Sequence, residues 1–315
     1  MTASRWEELE VFFGDANNAE ARIYARLPSD AAPAGAKLAG RVVGPQCAYA
    51  STLSAAIRMN PKRSQAEAAG ANVGWGAAPR AICADLLAEA IVPDPCFWSP
   101  ELPFLYRVEV ELHQGSDLLA STTHTLGIRP LGVRGRKLLL EGKPWVIRGV
   151  EQSALPPAEL RQWRAADLAM VVESPNDELC AEASRLGVWL LARAGGDTDR
   201  LAAELHRLAP WPCVAMVVVE ADAELPEAVA RGARNVLLAQ HFGPGAAIAP
   251  AAWAETIVCE DSDPALIASR SAGATLPIIA QQAGRWHDDL SAARRACDEL
   301  QRALAGQGDF AGYLA

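Results

Sequence analysis

Polar and apolar residues alternate along Arg22-Ile23-Tyr24-Ala25-Arg26-Leu27, the two-residue period of a strand with one wet face. Residues 37–43 and 52–59 repeat the pattern more weakly. The strongest case is Leu105-Tyr106-Arg107-Val108-Glu109-Val110-Glu111-Leu112, then the turn cluster Gln114-Gly115-Ser116-Asp117, then a second alternating run over residues 118–128, which together predict a hairpin. Within this half only residues 81–90 read as an amphipathic helix. Strands joined by Gly- and Pro-containing segments predict an antiparallel β-sandwich over residues 1–130.

After Gly142 the period changes. Short apolar runs at residues 146–150, 169–172, 188–191, 214–219, 235–238, 255–259 and 277–280, with a last one at 310–314, alternate with segments of helical pattern at 158–167, 176–186, 197–208 and 290–304. Asp177 and Glu178 open the second of these helices, where negative charge suits the helix dipole. Both a doubly wound sheet and a barrel use buried parallel strands of this kind. Eight strands is the closing number of a (β/α)8 TIM-type barrel, so residues 131–315 are expected to form one, lacking the last helix. The chain is thus multidomain, β followed by α/β. An eighth strand without its helix would leave apolar faces bare, and either another chain, such as a second copy forming a homo-oligomer, or an earlier segment of this chain is expected to cover that edge.

Composition narrows the partners. Half of the residues are hydrophobic and 21% are charged, which suits folded cores rather than disorder. A net charge of −9 with no Lys/Arg run argues against nucleic acid and against anionic membranes. Glu7, Glu8 and Glu10 stand where a secretory signal needs a basic start and an apolar core, and nowhere do about twenty apolar residues run without a charge. The expectation is a soluble, cytoplasmic protein. Its seven cysteines form no CxxC pair, so neither a metal site nor a disulfide framework is expected, but reduced, mostly buried thiols. No cofactor is implied.

Four motifs then follow one another. Phe97-Trp98-Ser99-Pro100-Glu101-Leu102-Pro103-Phe104-Leu105-Tyr106 is followed by Gly127-Ile128-Arg129, by Leu138-Leu139-Leu140-Glu141-Gly142-Lys143-Pro144, and by Arg148-Gly149-Val150. In order and spacing they resemble the immunoglobulin-like domain and barrel entry of glycoside hydrolase family 2, the family of β-galactosidases, β-glucuronidases and β-mannosidases. Residues 177–189 resemble, more weakly, that family's helix and third barrel strand. The resemblance implies an immunoglobulin-like β-sandwich followed by the barrel, with no room for the family's N-terminal sugar-binding jelly roll. The motifs themselves are scaffold: Trp98 and Tyr106 are expected to fill the sandwich core, and Gly142 and Pro144 to make a turn.

Retaining glycosidases need two carboxyl groups about 5 Å apart, one to protonate the leaving oxygen and one to attack the anomeric carbon. The resemblance places both as glutamates at the ends of the fourth and seventh barrel strands. Its nucleophile pattern falls on Pro277-Ile278-Ile279-Ala280-Gln281-Gln282-Ala283-Gly284, with the amide of Gln282 at the nucleophile position. Its Gly-Asn-Glu pattern falls on Glu220-Ala221-Asp222, with Asp222 as a shortened acid and Ala221 in place of the Asn that contacts the sugar. The family's Arg-x-x-His-Tyr-Pro gives way around Val172-Glu173-Ser174-Pro175, and its Asn and His after Arg-Gly-Val give way to Glu151-Gln152-Ser153. The resemblance therefore implies a glycosidase scaffold that has lost hydrolysis and is kept for carbohydrate binding or assembly. The alternatives are a retained O-glycosyl hydrolase acting through Asp222, or a different reaction. Glu151, Glu173, Glu220 and Asp222 are expected at the same barrel mouth, with Arg193, His241 and Trp286 at neighbouring strand ends. Clustered carboxylates shift one another's pKa values and can act as acids or bases.

Overall fold

The computed structural model describes residues 6–62, 85–152, 159–284 and 289–315. Two compact units emerge, one of residues up to Trp98 plus Leu102–Ile128, the other of Ser99–Glu101 plus Arg129–Ala315.

In the first unit the alternation becomes seven antiparallel strands: β1 (Glu10–Ala16), β2 (Glu20–Leu27), β3 (Lys37–Gln46), β4 (Ala55–Lys62), β5 (Leu86–Pro93), β6 (Leu105–Gln114) and β7 (Asp117–Leu126), in the order β1-β2-β5-β4-β3-β6-β7. The sandwich arises because β4 changes partners along its length. Ala55 to Met59 pair with β3, whereas Asn60 to Lys62 pair with β5. Inward positions such as Ile23, Leu27, Val42, Met59, Val108 and Val110 are fully buried in one core. Trp98 and Tyr106 are buried as expected, and the Tyr106 hydroxyl accepts the Cys96 N–H at 2.8 Å. The helix expected over 81–90 is not formed where the chain is described: Leu86–Pro93 is strand β5, paired with β2 from Leu86↔Leu27 to Pro93↔Glu20. Cross-strand packing overrides the helix propensity of Leu and Ala there. Residues 81–84 lie outside the described residues.

The second unit begins with a three-stranded sheet, β8 (Leu131–Arg134), β9 (Lys137–Leu140) and β10 (Lys143–Trp145). Gly142, at φ +74°, makes the β9–β10 turn with Glu141, but Pro144 lies within β10, an edge strand where a missing N–H is tolerated. The barrel follows: β11 (Ile147–Glu151), β12 (Ala169–Glu173), β13 (Leu190–Ala194), β14 (Val214–Glu220), β15 (Leu237–Phe242), β16 (Thr256–Asp261), β17 (Ile278–Gln282) and β18 (Gly312–Leu314), all parallel. It closes because β18 pairs with β17 on one side and β11 on the other. Gly149 permits the β11–β12 approach, since a Cβ there would lie 2.8 Å from the Ala169 carbonyl oxygen.

Among the described residues six α-helices accompany it: α1 (Leu160–Ala166), α2 (Asp177–Leu186), α3 (Thr198–Leu208), α4 (Glu227–Gly232), α5 (Pro264–Arg270) and α6 (Leu290–Leu304). Four start on a side-chain cap, with Asn176, Asp197, Asp263 and Asp289 accepting backbone N–H groups. Each such cap contributes ~1 kcal/mol. The bare edge expected at the eighth strand is not seen. Helix α6 packs on both β18 and β11 and reaches α1, with Arg148 Nη2 donating to Gln301 Oε1 at 2.6 Å and Arg294 pairing with Asp167 at 3.1 Å. One amphipathic helix covers the seam, and β18 is buried throughout. Of the two covers expected, the earlier segment of the chain lies on the seam. Among the described residues no helix is long and apolar enough to cross a membrane.

Candidate functional site at the barrel mouth

Strand register decides which side chains face the barrel axis, because parallel partners point the same way and neighbours along a strand point opposite ways. Arg148 reaches out to α6, so Ile147, Gly149 and Glu151 face inward. Following the pairing around the barrel, the last inward positions are Glu173 on β12, Arg193 on β13, Glu220 on β14, His241 on β15, Glu260 on β16 and Gln281 on β17. The lower levels of the lumen hold apolar residues such as Val171, Leu191, Met216, Val258 and Ile279, all buried. The ring of polar residues thus sits on a dry floor.

These residues satisfy one another. Arg193 pairs with Glu151 at 3.1 Å and with Glu220 at 3.4 Å, and its Nη2 donates to Gln281 Oε1 at 3.1 Å. From β13 it therefore touches the ends of β11, β14 and β17. His241, with only 7% of its side chain exposed, has Nδ1 at 2.8 Å from Glu220 Oε2 and Nε2 at 2.8 Å from Glu260 Oε2. An ionised carboxylate only accepts hydrogen bonds, so a ring flanked by two of them is satisfied when both nitrogens carry protons. The titration tendencies agree. The hydrogen bond from His241 holds Glu220 below the ordinary carboxylate range against its partial burial, and it does the same for Glu260. Burial alone would favour the neutral ring, but the hydrogen bonds to Glu220 and Glu260 outweigh it and raise the His241 pKa above 6.5.

A second layer holds this one from outside. Arg270 on α5 pairs with Asp261 at 3.0 Å and donates to the carbonyls of Glu260, Gly243 and Ala246, fixing the end of β16 and the chain after β15. Asp261 is held below its usual range: burial opposes this, but backbone N–H donors and Arg270 prevail.

Of the positions singled out from sequence, Glu151, Arg193, Glu220 and His241 meet in this network. Glu173 is level with Arg193 in register but exposed, and among the described residues it joins none of these bonds. Asp222 lies in the exposed turn beyond β14, likewise outside the network among the described residues. Gln282 pairs in register with the outward-facing Asp261, and its amide donates to the Ser262 carbonyl at 3.3 Å. Trp286 lies outside the described residues. Glu260 and Gln281 were not singled out, although each ends an apolar run at an inward position two residues beyond a buried one, Val258 and Ile279. No group of three His, Cys, Asp or Glu side chains suited to a metal ion occurs among the described residues.

Comparison with known proteins gives this arrangement a context. Residues 20–129, a span that contains strands β2 to β7, match the model described as Glycosyl hydrolases family 2. A 67-residue stretch is 37% identical to a β-galactosidase of Oenococcus oeni, covering 21% of this chain and 6% of that protein. The fold is similar to that of β-glucuronidase from Bifidobacterium dentium, with a TM-score of 0.67 at 13% identity over 98% of this chain and 59% of that one. It is also similar to β-glucuronidase from Parabacteroides merdae, with a TM-score of 0.61 at 13% identity over 98% and 46%. The chain spans about half the length of these solved structures and a small part of the curated relative.

Proposed function

We propose that this chain, a relative of glycoside hydrolase family 2, has no retaining glycosidase activity and serves as a binding or assembly module. The observation that carries the proposal is the state of the inward carboxylates. Glycoside cleavage needs one carboxyl group whose pKa is raised so that it can donate a proton near neutral pH, and an opposed free carboxylate that attacks. Glu220 and Glu260 are instead both tied to one imidazole ring and pushed toward the ionised form. Arg193 joins the ends of β14 and β17, so a guanidinium occupies the ground between the two strands that would carry the acid and the nucleophile. The family-pattern positions add nothing back: Gln282 is a neutral amide bonded to Ser262, and Asp222 stands in an exposed turn.

Carbohydrate is the ligand class that goes with this scaffold. A cytoplasmic setting goes with the free thiols of Cys47, Cys96, Cys180, Cys213, Cys259 and Cys297. The test is a screen of aryl β-glycosides (galactoside, glucuronide, mannoside) with the wild type beside Asp222→Ala and Gln282→Glu. The wild type should release no phenol above the buffer rate. Turnover that Asp222→Ala abolishes would establish the alternative, a working glycosidase with a shortened acid.

A further inference from the structure

The geometry points to His241 as a pH-sensitive latch on the barrel mouth: doubly protonated, it holds Glu220 down against β15, and loss of its Nδ1 proton releases that carboxylate toward solvent. The latch is a regulation of the mouth and rests on the proposed non-hydrolytic, binding use of it.

Three features support it. First, the ring is clamped on both nitrogens by acceptors at equal 2.8 Å distances, so removing one proton must leave a bare ring nitrogen facing a carboxylate. Second, the two carboxylates differ in what else holds them. Glu260 is 20% exposed and the carbonyl of the same residue is gripped by Arg270, whereas Glu220 is 51% exposed and ends its strand. Leaving Glu260 without its donor would strand a buried charge; Glu220 can turn to water while keeping Arg193. The proton that leaves is therefore the one on Nδ1. It passes to a base in solution, and the neutral ring remains as the Nε2–H tautomer donating to Glu260. Third, the charges bonded to the ring hold the latch shut below its midpoint. Glu220 on β14 and Glu260 on β16 favour the imidazolium, and Glu151 and Glu173 stand at the inward ends of β11 and β12. Arg193 on β13 opposes it but is itself paired to Glu151 and Glu220. Among the described residues of β17 the neutral Gln281 faces the mouth, and Asp261 is turned outward onto Arg270.

The latch is read by NMR on the full chain with 15N-labelled histidine and 13C-labelled glutamate, His241 being assigned from His241→Gln. Both ring nitrogens should be protonated below the midpoint, and the midpoint should lie above the ordinary imidazole value of 6.5. The Glu220 carboxyl carbon should shift at that same midpoint while Glu260 stays put, and Glu220→Gln should lower the midpoint. A midpoint at or below 6.5, or a Glu220 carbon that does not move with His241, overturns the latch, and both are read on the wild type alone. The outcome is separable from the silent-site proposal. Aryl glycoside turnover with a raised His241 midpoint that the Glu220 carbon shares would sink that proposal alone, and an ordinary titration without turnover would sink the latch alone.

Discussion

Arg193 Nη2 donates to Gln281 Oε1 at 3.1 Å, linking the third barrel strand to the seventh across the mouth. The same guanidinium carries the charge that balances Glu151 and Glu220. Arg193→Ala should therefore destabilise the chain by about 1–2 kcal/mol, less than the 3–5 kcal/mol of a fully buried pair, because both carboxylates are half exposed and water screens them. Urea unfolding measures this. A loss below about 0.3 kcal/mol would show that the mouth network contributes nothing to the fold.

Stability should depend on pH with a sign fixed by the cluster. His241 has a raised pKa, so its contribution is complete below its unfolded value of 6.5 and disappears as pH rises through the higher folded value. Glu220 and Glu260 have depressed values, so theirs is complete above the unfolded 4.5 and disappears as pH falls through the lower folded values. The cluster is fully stabilising between those two unfolded values and weakens outside them. The difference in unfolding free energy between wild type and His241→Gln, followed from pH 3 to 10, should be largest in that window. A flat difference would contradict the geometry.

Gly187 ends α2 in the left-handed conformation at φ +75°, and a Cβ there would run into the backbone carbonyl of Pro100. The conformation alone costs a non-glycine residue about 1–2 kcal/mol. With the clash added, Gly187→Ala should lose about 2–4 kcal/mol. Thermal unfolding checks this against Gly245→Ala, which has a similar φ of +71° but open space around its Cβ.

Burial pushes the Cys297 thiol up to about 11, and its sulfur also contacts the Gly149 carbonyl at 3.4 Å. The Cys180 thiol is raised too, by the neighbouring Cys213 and then by burial. In native conditions the peptides carrying Cys180, Cys213, Cys259 and Cys297 should resist iodoacetamide for as long as the chain stays folded, and react at once in urea. Fast native alkylation of Cys297 would place α6 away from the β11–β18 seam.

The barrel strands were legible in the sequence because each is a run of apolar residues buried on both faces, a signal that needs no partner to be read. Three of the four helices named from sequence, α2, α3 and α6, carry both a capping Asn or Asp and ten or more residues of amphipathic pattern. The short helices α4 and α5 offer only one or two turns of pattern. β5 was missed for a different reason: Leu86-Leu87-Ala88-Glu89-Ala90 is locally helical in character and becomes a strand only through β2. At the mouth, family pattern led to Gln282 and Asp222, which mark the strand ends, while register selected Gln281 and Glu220 as the inward residues. Direction at a strand end alternates with every residue, so a one-residue ambiguity in a pattern changes which group faces the site. Glu260 escaped notice because no motif covers it; its partner His241 lies on another strand, and only the barrel brings them together.

The most direct measurement is a 13C titration of the side-chain carboxyl groups of Glu220 and Glu260 in the folded chain. Both should lose their protons below the ordinary value of 4.5, leaving neither of them able to protonate a leaving sugar oxygen near neutral pH. Either glutamate retaining its proton at pH 7 would supply the missing acid and contradict the account of a barrel that does not cleave glycosides.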